Sequence, residues 1–122
     1  MYSVQAHNGP VTDITYSPGC VVTLGEDAKL CVWERHQGHL LNSVDTDDTL
    51  SGLVMLTHNI IVTASGSSLV VWDVRLSQPV KIVRLGSQGR VNVIKQCGDT
   101  LICSCDHKIK IVKFPILTQK LD

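Results

Sequence analysis

Two groupings in this 122-residue sequence hold side chains with chemistry in them. Cys103-X-Cys105 is followed by His107, three donors of the kind zinc accepts. His7 and Asp27 together have the residue types of a proton-transfer dyad. Neither grouping carries through. The cysteines are separated by one residue, where zinc sites use two or more. On a strand the two thiols share a face, but no fourth ligand is apparent, so buried core thiols are expected, with no metal and no cofactor. A cysteine nucleophile would lack a base placed by any motif. The sequence has no phosphate-cradling glycine loop, no metal-binding His-X-X-X-His helix and no nucleophile elbow. No enzyme is expected. His36, His39 and His58 fall in or beside loops and read as surface residues.

Composition narrows the class. Hydrophobic residues make up 43% of the chain and charged residues 18%, which suits one packed domain rather than a disordered segment. The net charge is zero, so nothing global favours direct nucleic-acid binding. The charges are unevenly spread, however. Residues 1–61 hold two basic and seven acidic side chains, and residues 62–122 hold nine basic and four acidic. An asymmetry of this size can steer a partner. Met1-Tyr2-Ser3-Val4-Gln5 lacks a charged region and an apolar run, so no signal peptide is expected. The most apolar stretch, Leu50 to Ala64, is broken by Gly52, His58 and Asn59 and falls short of the about 18 apolar residues of a membrane span. The five cysteines are an odd number on strand-like segments, which favours reduced thiols over a disulfide framework.

The elements that must position these residues are strands. Runs are short, rich in Val, Ile and Thr, and punctuated by Gly, Asn, Asp and Pro, with no convincing helix. Three runs also repeat. Leu69-Val70-Val71-Trp72-Asp73 is preceded 39 residues earlier by Leu30-Cys31-Val32-Trp33-Glu34, and Lys108-Ile109-Lys110-Ile111-Val112 follows with Val112 40 residues after Trp72. A period near 40 with a Trp-Asp signature resembles the blades of WD-repeat β-propellers. The resemblance implies an all-β propeller fragment of about three four-stranded antiparallel blades, a single partial domain over residues 1–122. Blade 1 covers about 8–45, blade 2 about 50–85 and blade 3 about 90–114. Residues 2–7 are expected as the outer strand of a preceding blade. Strands are expected at Val11–Tyr16, Cys20–Leu24, Lys29–Trp33 and His39–Val44, then Gly52–Leu56, Ile60–Ser65, Leu69–Asp73 and Val80–Leu85. Blade 3 has Val91–Lys95, Thr100–Cys105 and Lys108–Phe114, ended by Pro115.

Membership of that family implies a buried polar relay in each blade: a histidine entering it, a Ser or Thr on the second strand, an aspartate in the next turn and a tryptophan on the third strand. His7, Thr23, Asp27 and Trp33 fill all four places in blade 1, which also accounts for the His7–Asp27 dyad. Blade 2 keeps Thr63, Trp72 and Asp73, and blade 3 keeps Asp106. Elsewhere the sheets must rely on apolar packing. The rim formed by the second turns and the inter-blade loops would present Glu26, Asp47, Asp48, Gln88, Arg90, His107 and Lys108 as candidate partner contacts. Arg75, Lys81 and Arg84, on or near the outer strand of blade 2, make a second candidate surface.

Three stretches are more specific. His7-Asn8-Gly9-Pro10-Val11-Thr12 leads into residues 23–33, Asn59 to Gly66 leads into Val71-Trp72-Asp73, and the chain closes on Lys120-Leu121-Asp122. Together they resemble the carboxyl-terminal end of the sterol-sensing escort family of WD-repeat membrane proteins. That resemblance implies a protein-interaction platform on the cytosolic face of the endoplasmic reticulum and Golgi, soluble as an isolated segment and not itself inserted in the membrane. Its implied partner is the carboxyl-terminal regulatory domain of a sterol regulatory element-binding protein, which the membrane-anchored escort accompanies from endoplasmic reticulum to Golgi for proteolysis. Sterol sensing and coat sorting map to no residue here. The alternative is a WD-repeat scaffold subunit of another assembly, such as a ubiquitin-ligase adaptor or a vesicle-coat component.

Overall fold

The computed structural model describes residues 3–46, 50–57, 59–76, 78–86, 89–97 and 100–113. Among them are eleven strands and no helix. They are β1 (Val11–Tyr16), β2 (Cys20–Gly25), β3 (Lys29–Glu34), β4 (Leu40–Asp45), β5 (Ser51–Met55), β6 (Ile60–Ser65), β7 (Ser68–Asp73), β8 (Pro79–Arg84), β9 (Val91–Cys97), β10 (Thr100–Cys105) and β11 (Lys108–Lys113). They form three antiparallel sheets in the orders β1-β2-β3-β4, β5-β6-β7-β8 and β9-β10-β11. These are the blades of a β-propeller fragment. Two are four-stranded, and the third shows three strands among the described residues.

The turns follow from their residues. Ala28, in the β2–β3 turn, has φ 60°, and its amide donates to the Gly25 carbonyl at 3.2 Å. Asp106, in the two-residue β10–β11 turn, has φ 54°, a left-handed conformation that Asp tolerates better than most side chains. At the other end of β10, Thr100 pairs with Cys97, so β9 runs through Gln96 and Cys97, beyond the Lys95 at which the sequence reading ends the strand.

The blades lie flank to flank, with β1 next to β5 and β5 next to β9. One core fills the first junction: Cys20, Val22, Leu24 and Leu30 of blade 1 against Leu53, Ile61, Val70 and Trp72 of blade 2. A second fills the next: Val62, Ala64, Leu69 and Val71 of blade 2 against Ile94, Leu101, Cys103 and Cys105 of blade 3. Blade 2 is therefore buried on both faces, which is why β6 and β7 read as continuous apolar runs instead of alternating. Polar side chains pin the junctions. Asn42 Nδ2 donates to the Leu76 carbonyl at 2.9 Å and to that of Val74 at 3.4 Å. Ser51 Oγ donates to the Val91 carbonyl at 2.7 Å. Gly52 adopts φ +81°, and a Cβ there would sit 2.8 Å from Ile94 Cγ1, so its bareness sets how closely blade 3 approaches.

Residues 3–7, expected within the outer strand of a preceding blade, are irregular and pair with no strand among the described residues. A strand needs a neighbour to complete its ladder, and the described residues supply none there. Val4 and Ala6 instead line an apolar groove over blade 1 with Val11, Ile14, Val21 and Trp33. Tyr2 and Phe114, expected in strands, lie outside the described residues.

Candidate interaction site

The best-formed polar arrangement is in blade 1. His7 enters from the irregular segment, Thr23 sits on β2, Asp27 in the following turn and Trp33 on β3. Trp33 Nε1–H donates to Thr23 Oγ1 at 3.0 Å. Thr23 Oγ1 and His7 Nε2 are 2.7 Å apart, and His7 Nδ1 and Asp27 Oδ1 are 2.9 Å apart. With the proton on Nδ1, each link has one donor and one acceptor: indole to hydroxyl, hydroxyl to Nε2, Nδ1–H to carboxylate. The Asn8 amide also donates to Asp27 Oδ2 at 3.0 Å. Desolvation pushes the Asp27 pKa up, but the Asn8 amide and His7 outweigh it, and the carboxyl titrates below its ordinary value.

Gly25 makes room for this. A Cβ on it would lie 2.5 Å from both Asp27 Oδ1 and His7 Nδ1. Blade 3 shows the same relation between Asp106 and Gly89, where a side chain at Gly89 would overlap the Asp106 carboxylate. Sequence reasoning missed both glycines. The signal available was a glycine two residues before the turn aspartate in blade 1.

In blade 2 the relay shortens to one bond. Trp72 Nε1–H donates to the buried Thr63 Oγ1 at 2.9 Å. Asp73, placed in the relay by the sequence reading, is not in it. It accepts from the Arg75 amide at 2.9 Å and from Arg75 Nε and Nη2 at 2.9 and 2.6 Å. Glu34 has the matching role in blade 1, accepting from the His36 and Gln37 amides at 2.6 and 2.7 Å. Neighbouring side chains on a strand diverge, so the tryptophan reaches the relay and the acid after it caps the third turn. Arg75 holds the Asp73 carboxyl below its usual range, and the His36 and Gln37 amides do the same for Glu34.

The rim candidates separate into two groups. Arg90, His107 and Lys108 are exposed and gather at one end of blade 3, because Cys105 pairs with both Val91 and Lys108. Glu26 is exposed in the equivalent turn of blade 1, two blades away. Asp47, Asp48 and Gln88 lie outside the described residues, as does His58. The second candidate surface does not assemble. Lys81 pairs across from Val71 and Arg84 from Ser68, three positions apart, which puts them on opposite faces of β8. Arg75 is occupied with Asp73 in the turn.

Cys103 and Cys105 both point into the core between blades 2 and 3. Burial, helped by the neighbouring Cys105, pushes the Cys103 thiol up to about 11. His107 is exposed in the turn, and among the described residues no cluster of His, Cys, Asp and Glu has the arrangement of a metal site. No described helix is long and apolar enough to cross a membrane.

No family model matches the chain. A curated relative does. The sterol regulatory element-binding protein cleavage-activating protein of Xenopus laevis is 26% identical over 121 residues. The match takes in 95% of this chain and 9% of that protein, so the chain spans less than a tenth of its relative's length. Among solved structures, the crystal structure of the computationally designed Ika8 protein is similar at a TM-score of 0.70 and 21% identity, over 88% of this chain and 34% of that one. That likeness speaks to the fold alone.

Proposed function

We propose that the chain is a non-enzymatic interaction platform of the WD-repeat kind, the carboxyl-terminal propeller part of a sterol-regulated escort. Its partner is the carboxyl-terminal regulatory domain of a membrane-bound sterol regulatory element-binding protein, carried from endoplasmic reticulum to Golgi with the blades on the cytosolic side. The observation that carries this reading is a likeness running through 95% of the chain to a protein named for activating cleavage of a sterol regulatory element-binding protein. The geometry supports a platform in general terms. The polar groups of blade 1 are bonded to one another in a structural relay, while Arg90, His107 and Lys108 stand exposed on a rigid rim.

Co-precipitation with the purified regulatory domain tests the reading at about 0.15 M salt, where exposed charges more than about 8 Å apart are largely screened. The chain is expected to retain the domain, and the double substitution Arg90→Glu with Lys108→Glu is expected to release it. No retention by the unsubstituted chain would leave the scaffold subunit of another assembly as the better reading.

A further inference from the structure

Of the four asparagines in the chain, Asn8 alone is followed by glycine. The Asn8-Gly9 bend sits at the end of blade 1 beside the β2–β3 turn, so its surroundings are those of its own blade. A Cβ on Gly9 would lie 3.7 Å from Glu26 Cβ and 3.9 Å from the Asp27 amide nitrogen. The bend is anchored on both sides. The Asn8 amide donates to Asp27 Oδ2 at 3.0 Å, and the Glu26 amide donates to the Pro10 carbonyl at 3.0 Å. Between these anchors the Asn8 side chain is exposed. Among the described residues, neither its carboxamide nor the Gly9 N–H has a hydrogen-bond partner.

Those are the two groups that meet in ring closure, the reaction that makes asparagine a labile residue. A backbone amide attacks the carboxamide of the asparagine before it when it is free to shed its proton and unshielded by a side chain of its own. Glycine has no side chain to shield it. The other three asparagines fail one condition or the other. Asn42 precedes Ser43, whose amide donates to Asn42 Oδ1 at 2.9 Å, and its Nδ2 is held by the Val74 and Leu76 carbonyls. Asn59 and Asn92 precede Ile60 and Val93, strand residues whose branched side chains crowd the attacking nitrogen.

We propose that Asn8 is a self-modification site. The Gly9 nitrogen loses its proton and attacks Asn8 Cγ. The new N–C bond closes a succinimide ring, and the carboxamide nitrogen takes up a proton and leaves as ammonia. Water then opens the ring. Addition at Cγ breaks the bond just made and leaves an aspartyl residue. Addition at the Asn8 main-chain carbonyl breaks the original peptide bond and leaves an isoaspartyl residue, whose backbone runs through the former side chain. The sum is asparagine and water giving acid and ammonia, with nothing oxidised or reduced. Either product sets a new carboxylate near Glu26 and Asp27, where like charges repel. The isoaspartyl form also lengthens the main chain by a methylene between the Asn8 amide and the Pro10 carbonyl, so both anchors no longer fit the turn together. Asp27 is bonded to His7, so the change reaches the relay. Blade 1 thus carries a timer that loosens it with age. The proposal is independent of the escort reading, because it needs no partner protein.

The test is to age the purified chain at neutral and mildly alkaline pH, map its peptides by mass spectrometry with isoaspartate detection, and follow the urea midpoint. Gly9→Ala is aged beside it; a Cβ there meets only ordinary contacts, and Gly9 is outside the left-handed region. Conversion is expected at Asn8 several-fold faster than at Asn42, Asn59 or Asn92, faster at the higher pH, and at similar rates in the folded and the urea-unfolded chain. Gly9→Ala is expected to slow it several-fold. The urea midpoint of the aged chain is expected to fall, and that of aged Gly9→Ala to stay. Conversion at Asn8 that is no faster than at the other asparagines, that Gly9→Ala leaves unchanged, or that folding suppresses many-fold overturns the site. Conversion at Asn8 with an unmoved midpoint overturns its link to the relay.

Discussion

Thr23 is the residue through which blade 1 is wired, because its one hydroxyl serves the indole of Trp33 and the imidazole of His7 at once. Thr23→Val keeps the shape and removes both bonds. Leaving buried groups unpaired costs about 1–3 kcal/mol, and urea unfolding should show a loss in that range. Thr63→Val should act likewise in blade 2, through the single bond to Trp72. The acids at this scale set the pH response. Asp27, Glu34 and Asp73 all titrate below their ordinary values when folded. As pH falls, the unfolded chain takes up protons first, so the stability these groups contribute is present above their unfolded pKa and lost as pH drops through the folded values. Asp27→Asn combined with Glu34→Gln should flatten the fall in urea midpoint between about pH 5 and pH 2. Thiol reactivity follows from position: Cys97 is exposed and should react with a thiol reagent in the folded protein, while buried Cys103 and Cys105 should react only on unfolding.

At the scale of elements, most of what the sequence implied is present, and the departures have local causes. The strands were legible because β-branched runs alternate with Gly, Asn and Asp turns, and Trp33 and Trp72 marked equivalent third strands. The relay of blade 1 was legible because all four residue types stand at the places a blade requires. Asp73 was misassigned because a Trp-Asp pair in sequence does not say which of the two faces inward; the capping role is visible only once the β7–β8 turn is seen. Contacts between blades left no signal in sequence order. Asn42 looks like any polar residue on an outer strand, yet it reaches 32 and 34 residues ahead to hold two carbonyls of the next blade. Asn42→Ala should lower stability by about 1–2 kcal/mol, at roughly 1 kcal/mol per net bond, and raise amide exchange in the turn after β7 more than within β6.

Across the whole molecule, charge separates along the chain. The acidic first half and basic second half are joined through blade 2, which is buried on both sides and makes the rigid centre. Leu69→Ala, at a fully buried position on the third strand of that blade, should cost about 2–5 kcal/mol and loosen the junction with blade 3. Among the described residues, every hydrogen-bonded ladder joins strands that follow one another directly in the chain. A nascent polypeptide leaving the ribosome could then complete each sheet from residues it has just released, waiting on nothing downstream. What does wait is the greasy side of each finished sheet, bare until the following one is synthesised. Slowing translation between Asp45 and Ser51 would lengthen that wait for the first sheet, and chaperone occupancy on the growing chain should rise at that point.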